Sequence, residues 1–420
     1  MDATESAQAL IEDAGSVLVA PSAVHGHDVV ARFLGSVVTP EDVARGAADL
    51  ARKTVYLCGD IAAVSGRRLR AAARVFVVQE LSHGYGGDGG GDWYGDVDAP
   101  WSVVGLGRVP LRVHGVGVYY PRFFAPDADH FGRIRAEHAF QSLTESTKSG
   151  TAHRSGIYLT PVTQDGDDLH FRLLRCSTNL SGPTEGFGPT DTDVVEALNR
   201  EAAAVFRGQA PLNHVLAQIY HNTRATDGRR QAKARISAHA DKTKDMPVNG
   251  IMAFCTFYDG LDRLDGLRPL AQDPFDLGVK GVSGLTRLRF HLKDPAAVPD
   301  GLAPPPQFTL TLHPGSVFLM PLSTNRLYTH EIRPSSLDAE LLPTRLGYVV
   351  RCSSAEAVHR DGHTFLKTAG DPVKLEPPTA AGMDELRRLY AEENRTSSFI
   401  DYGDGFRFSM NTGDYLAPHP

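Results

Sequence analysis

Cysteine is scarce in this 420-residue chain, which has four: Cys58, Cys176, Cys255 and Cys352. No two stand at CxxC spacing, which excludes the common zinc and redox motifs. So few thiols in so long a chain point to a reducing compartment. Cys255 and Cys352 fall in apolar, strand-like runs, where a thiol acts as a small buried hydrophobe. Long apolar runs are also missing, and none approaches the roughly 20 residues that span a bilayer. The N-terminal stretch MDATESAQALIEDAG is acidic and lacks the basic-then-apolar order of a secretory signal. A soluble, cytoplasmic protein with no membrane partner is the expectation. A basic excess is absent too. The net charge of −7 leans against a dedicated nucleic-acid binder. Neither an internal repeat nor a coiled coil is found, and the glycine-rich stretch from His83 to Trp93 lacks Gly-Lys-Ser/Thr. It reads as a surface loop.

What is present is a chain long enough for about two to three domains. Residues 1–100 mix short apolar runs with helical patterns and read as an α/β extension. Thr39-Pro40-Glu41-Asp42 is a helix start, expected to run to about Arg52. A short basic helix is expected over Arg67 to Arg74. Residues 101–210 read as strands, polar loops and a supporting helix over Asp191 to Phe206, whose Val194, Val195, Leu198, Ala202 and Phe206 form one stripe. Asp165-Gly166-Asp167-Asp168 marks a hairpin. Residues 211–355 carry short strands punctuated by Pro and Gly, the pattern of a sandwich or barrel. Asp259 to Gly284 reads as an irregular insertion. Residues 356–420 form a less regular C-terminal extension with one helix near Gly382 to Asn394. The fold class expected is α+β, mainly β.

The chemistry concentrates in Arg235-Ile236-Ser237-Ala238-His239-Ala240-Asp241-Lys242. A lone His-x-Asp is common by chance, and 17 histidines make chance pairs commoner. This pair, however, precedes an apolar strand, Ile251 to Phe257. His330 follows in a later strand, after Gly315-Ser316 and an apolar run. Two imidazoles and one carboxylate occupy one face of an octahedral iron and leave three positions open. Arg345 and Arg351 are six residues apart, hence on one face of one strand. Buried arginines need anions, either the carboxylate of a dicarboxylate co-substrate or an internal partner such as Glu331 or Asp241. The alternative cluster His359-Arg360-Asp361-Gly362-His363 has no later strand histidine to complete it and reads as a solvated loop.

At these residues the chain resembles a family. Gly315 to Met320, Arg326 to His330 and the Arg-x5-Arg strand from Arg345 to Arg351 are similar to the AlkB-like branch of the Fe(II)/2-oxoglutarate dioxygenases. Tyr220 stands like the tyrosine of that family's Asn-x-Tyr, with Gln218 in place of Asn. The resemblance covers roughly residues 212 to 355. It implies a double-stranded β-helix, or jelly roll, with His239, Asp241 and His330 as iron ligands. Arg345 and Arg351 would hold 2-oxoglutarate, with Tyr220 hydrogen-bonded to it and Arg345 favoured for the bidentate contact. Fe(II), 2-oxoglutarate and O2 would serve hydroxylation of a C–H bond, releasing succinate and CO2. Gly347 departs from the family, which often has a polar residue there.

The expected substrate is a small polar or nucleotide-like molecule. A nucleobase in DNA or RNA is the alternative, supported by Arg229, Arg230, Lys233, Arg235, Lys242 and Lys244 beside the metal pair. The intact ligand set argues against a non-catalytic binding module. Two polar stretches, Thr144 to Arg154 and Arg175 to Thr184, are expected to border the mouth of the pocket opposite 2-oxoglutarate. Arg154, Arg175, Asn179 and Lys242 are the substrate-binding candidates. No feature of the sequence speaks to the oligomeric state.

Overall fold

The computed structural model describes residues 15–61, 64, 66–83, 101–144, 151–176, 180–228, 230–298 and 303–420. The glycine-rich stretch 84–93 and Asn179 lie outside the described residues.

Five parallel strands open the chain: β1 (Ser16–Val19), β2 (Ser36–Val38), β3 (Thr54–Asp60), β4 (Arg74–His83) and β5 (Trp101–Val104). Their order is β2-β1-β3-β4-β5. Val17, Val19, Val55 and Leu57 pack on one face, and Leu18, Tyr56, Cys58 and Val78 on the other. Burial on both faces explains runs that are apolar throughout instead of alternating. Thr39 and Asp42 form a capping box with Pro40 in the first turn, but the helix spans only Pro40–Arg45. Gly46 ends it in the left-handed region at φ 74, well short of Arg52. The second helix likewise spans only Gly66–Leu69. Arg74 instead opens β4, where its guanidinium donates to Thr54 Oγ1 across the sheet. Tertiary pairing outweighs the helical preference of the Ala-rich stretch.

The rest of the chain is mostly β. It continues with β6 (Leu111–Val113), β7 (Gly117–Tyr120), β8 (Gln141–Thr144), β9 (Thr151–Thr160), β10 (Thr163–Asp165), β11 (Asp168–Leu173), β12 (Glu185–Gly186) and β13 (His214–Tyr220). Then come β14 (Ile236–His239) and β15 (Ile251–Asp259). The segment expected to be irregular is a three-stranded meander of β16 (Arg268–Leu270), β17 (Asp273–Val279) and β18 (Val282–Ser283). After it follow β19 (Arg287–Leu292), β20 (Gln307–Thr311), β21 (Val317–Pro321), β22 (Tyr328–Arg333) and β23 (Thr344–Arg351). The tail is more regular than expected, with β24 (Ala355–Arg360), β25 (His363–Leu366), β26 (Val373–Lys374) and a helix over Ala380–Arg395.

A large sheet runs β12-β9-β13-β23-β15-β21-β7-β6, with β8 on β9. A second sheet runs β14-β22-β19-β20. From β13 onward the chain alternates between them: β13 in the large sheet, β14 in the second, β15 back, β19 and β20 across, β21 back, β22 across, β23 back. The period-two side-chain pattern gives each strand of the large sheet two jobs. Leu346, Tyr348 and Val350 of β23 pack with Val194, Leu198 and Val205 of the helix Pro189–Val205 on the outer face. Arg345, Gly347, Val349 and Arg351 face the second sheet. There Met252, Phe254 and Phe318 meet Leu288, Phe290, Phe308 and Tyr328.

Strand pairing crosses the boundaries expected at 210 and 355. β7 and β9 belong to the large sheet, and β24 pairs with β11 in a third sheet of order β10-β11-β24-β25-β26. That hairpin also corrects the solvated-loop reading of His359 to His363. Asp361 and Gly362 form its turn, and His359 is buried against Thr364 Oγ1. Among the described residues, no helix is long and apolar enough to cross a membrane.

Candidate metal centre

His239 closes β14, directly opposite His330 of β22 in antiparallel register. Opposed residues on neighbouring strands share a face, so the two rings meet, with centroids 4.5 Å apart. His330 is buried against the rings of Phe254 and Phe290. Asp241 lies two residues beyond β14. Its Oδ1 is 3.4 Å from His239 Nε2 and 3.8 Å from His330 Nε2. One ligand atom from each residue falls within 4.8 Å of the others, a spacing that a single ion bridges with little movement.

Protonation fits a cation. His239 Nδ1 lies 2.9 Å from the Ser237 carbonyl, which accepts from it, so Nε2 is the ring nitrogen turned toward the Asp241 carboxylate. Burial, and then the neighbouring His239, push His330 down to about 3, so its imidazole is neutral near pH 7. Burial opposes ionisation of Asp241, but the Arg351 guanidinium beside it holds its carboxyl well below the usual range. A neutral buried imidazole, an ionised carboxylate and a second imidazole beside them form a nitrogen and oxygen donor set that suits a metal ion.

The two arginines differ. Arg351 Nε and Nη2 donate to Asp241 Oδ2 at 2.9 and 2.6 Å, leaving Oδ1 toward the histidines. This is the internal ion pair that the sequence left open. Arg345 is 4% exposed, stacks on the Tyr220 ring with its guanidinium carbon 3.9 Å from the centroid, and has an unsatisfied Nε. Among the described residues it has no carboxylate partner. Gly347 gives it room: a Cβ there would lie 2.9 Å from Arg345 Nη1. The guanidinium therefore reaches along β23 toward its Arg351 end. Tyr220 and Tyr258 flank Arg345 in register, and the Tyr220 hydroxyl donates to Gln218 Oε1 at 3.3 Å.

Of the substrate candidates, Arg175 and Lys242 lie near one another, since Lys242 bonds the carbonyl of the residue after Arg175. Arg175 is buried and satisfied. Its Nε and Nη2 donate to Asp245 at 3.1 and 2.6 Å and its Nη1 to the Phe406 carbonyl, so it serves as a structural tie. Lys242 donates to the Cys176 carbonyl at 2.8 Å and sits over the Tyr390 ring. Asp245 and Cys176 engage them, and the C-terminal segment adds the Phe406 carbonyl and the Tyr390 ring. Arg154 pairs in register with Tyr220, which puts it in the row of Tyr220 and Arg345 and not opposite them. The sequence missed Asn325 and Asn394, whose side chains bond the backbone around Asp241. No spacing rule reaches from residue 394 to residue 240.

A second cluster brings Glu137, His138 and Asp191 together. His138 lies between Glu185 at 2.9 Å and Asp191 at 2.5 Å, and Asp191 also accepts from the Tyr348 hydroxyl. These groups satisfy one another and make an internal clasp.

No family model and no curated protein matches the chain. Solved structures similar to it include a Pseudomonas putida prolyl-4-hydroxylase at 12% identity, covering 56% of this chain and 91% of that one, with TM-score 0.29. OsALKBH1 is 14% identical, covering 57% and 99%, with TM-score 0.31. The epimerase SnoN in complex with Fe3+, alpha ketoglutarate and nogalamycin RO is 13% identical, covering 63% and 92%, with TM-score 0.34. At these scores the likenesses carry no argument, and the assignment rests on the residues.

Proposed function

We propose that the protein is an Fe(II)- and 2-oxoglutarate-dependent dioxygenase that hydroxylates a C–H bond of a small polar molecule, releasing succinate and CO2. The fold reading that goes with it is a double-stranded β-helix made by β13 to β15 and β19 to β23. Their alternation between two facing sheets supports it. His239, Asp241 and His330 would hold the iron, and Arg345 the distal carboxylate of 2-oxoglutarate, with Tyr220 beside it. When bound, the iron and 2-oxoglutarate supply the oxidising power from O2. The chain's own residues orient and exclude water. Arg351 fixes which oxygen of Asp241 faces the histidines, and Phe254 and Phe290 keep His330 dry.

The observation that carries the reading is Arg345. A buried guanidinium without a counter-ion is costly by several kcal/mol. It shares the inner face of β23 with the arginine that grips the metal carboxylate. A small dianion that binds metal at one end and a cation at the other resolves both at once.

The experiment is 2-oxoglutarate turnover by iron-loaded protein, read as succinate, with a panel of small polar molecules and oligonucleotides. Metal- and 2-oxoglutarate-dependent succinate formation, lost in His330→Ala, is expected. Metal-independent turnover or none with any compound overturns the proposal. The nucleobase alternative is weakened by the basic run itself. Lys233 donates to the Ser335 and Leu337 carbonyls, Lys244 pairs with Asp245, and Lys242 is engaged as above. Three of its six cations are therefore not free to track phosphates. Weak oligonucleotide binding with a shallow salt slope is expected.

A further inference from the structure

A carboxylate beyond the end of a strand has no ladder hydrogen bonds to hold its peptide. β14 ends at His239, and the chain around Asp241 is held by side chains instead. Asn325, fully buried in the short helix Leu322–Leu327, reads both polar groups of Asp241. Its Oδ1 accepts from Asp241 N at 2.8 Å and its Nδ2 donates to Asp241 O at 2.8 Å. From the other side comes the last turn of the helix Ala380–Arg395. Asn394 Oδ1 accepts from Ala240 N at 2.6 Å. Glu393 accepts from Thr243 N at 3.2 Å and from the Thr243 hydroxyl. That helix end is fastened to the body by Lys293, just past β19, whose Nζ donates to the Glu393 and Thr396 carbonyls at 2.7 and 3.2 Å. Four polar backbone groups in residues 240–243 are thus bonded by three side chains from two distant segments.

The geometry points to Asn325 and Asn394 as positioning residues of the metal centre. Together they set the peptide from which Asp241 Oδ1 faces His239 and His330. The C-terminal helix is therefore part of the ligand-holding apparatus. This inference rests on the metal reading above. Ligand atoms are only as well placed as the groups that orient them, and loss of such a partner typically weakens metal binding 10- to 100-fold. The two asparagines divide the work. Asn325 fixes Asp241 on both sides of its Cα, while Asn394 fixes the peptide between His239 and Asp241, the link that sets their spacing.

Asn394 is itself exposed, so its replacement need not disturb a core. The test uses the full chain and cobalt(II) alone as probe, read by titration and by its visible absorption. Asn394→Ala is expected to weaken cobalt binding about tenfold and to alter the absorption, with the unfolding midpoint of metal-free protein unchanged. Asn394→Asp, which keeps an acceptor oxygen, is expected to recover most of the affinity. Asn325→Ala is expected to lose more. Wild-type binding of one cobalt with unaltered affinity and absorption in Asn394→Ala overturns the positioning role and leaves the metal reading standing. A wild-type protein that binds no cobalt, while His330→Ala behaves identically, overturns the metal reading and the positioning role together.

Discussion

At the scale of single residues, the consequential arrangement is Arg345 over Gly347. Arg345→Lys keeps the charge but loses the planar fork. Charge-assisted hydrogen bonds contribute about 1.5–3 kcal/mol each, so the KM for 2-oxoglutarate is expected to rise roughly 10- to 100-fold. Cobalt binding should be nearly unchanged, because Asp241 is held by Arg351 and not by Arg345. Gly347→Ala is expected to act in the same direction through displacement, since its Cβ would meet Arg345 Nη1 at 2.9 Å. Succinate formation against 2-oxoglutarate concentration measures both, and a wild-type KM in each removes Arg345 from the co-substrate site. The same geometry accounts for the departure at position 347. A side chain there would occupy the space that the guanidinium uses.

At the scale of elements, the clasp at His138 joins the end of the helix His130–Glu137, strand β12 and the first turn of Pro189–Val205. Burial disfavours the imidazolium, but hydrogen bonding and charge from Asp191 and Glu185 outweigh it and raise His138. Glu137 lies beside it and is occupied by Thr190. A histidine raised in the folded state adds stability that is full below its unfolded value, about 6.5, and is lost as pH rises through the folded value. The denaturation midpoint is therefore expected to fall as pH rises from about 6.5 through the folded value. His138→Gln should flatten that fall and cost about 3 kcal/mol at pH 6, because it leaves buried Asp191 without a cation. Urea titrations of both proteins across this range check it, and parallel pH profiles would rule the clasp out.

At the scale of the whole molecule, the site is assembled from strands that are distant in sequence, so its ligands should report on global stability. Any ligand that binds only the folded chain stabilises it, by about 2.7 kcal/mol at 100 times its Kd. Cobalt(II) is expected to raise the thermal midpoint by itself. 2-Oxoglutarate should raise it further only when metal is present, since on the proposed reading one of its ends would chelate the ion. Arg345→Lys should lose the second increment and keep the first. A 2-oxoglutarate increment of equal size in metal-free protein would place its site elsewhere.

The sequence by itself determined the residue types and much of the local structure. The candidate trio His239, Asp241 and His330, which the fold brings together, and the Arg345–Arg351 strand were legible because period-two geometry and donor chemistry are local properties. The capped start at Thr39 and the apolar stripe of Pro189–Val205 were legible for the same reason. Only the tertiary structure decided which arginine grips Asp241 and which stacks on Tyr220. Arg351 and Asp241 are 110 residues apart in sequence and 2.6 Å apart in space. It also decided that Arg175 and Lys242 are internally bonded, because their partners Asp245 and Cys176 lie 70 and 66 residues away in sequence. The His359 hairpin, the meander before β19 and the grip of Asn394 on Ala240 share that cause. Each depends on long-range hydrogen bonds and packing that local propensity does not encode.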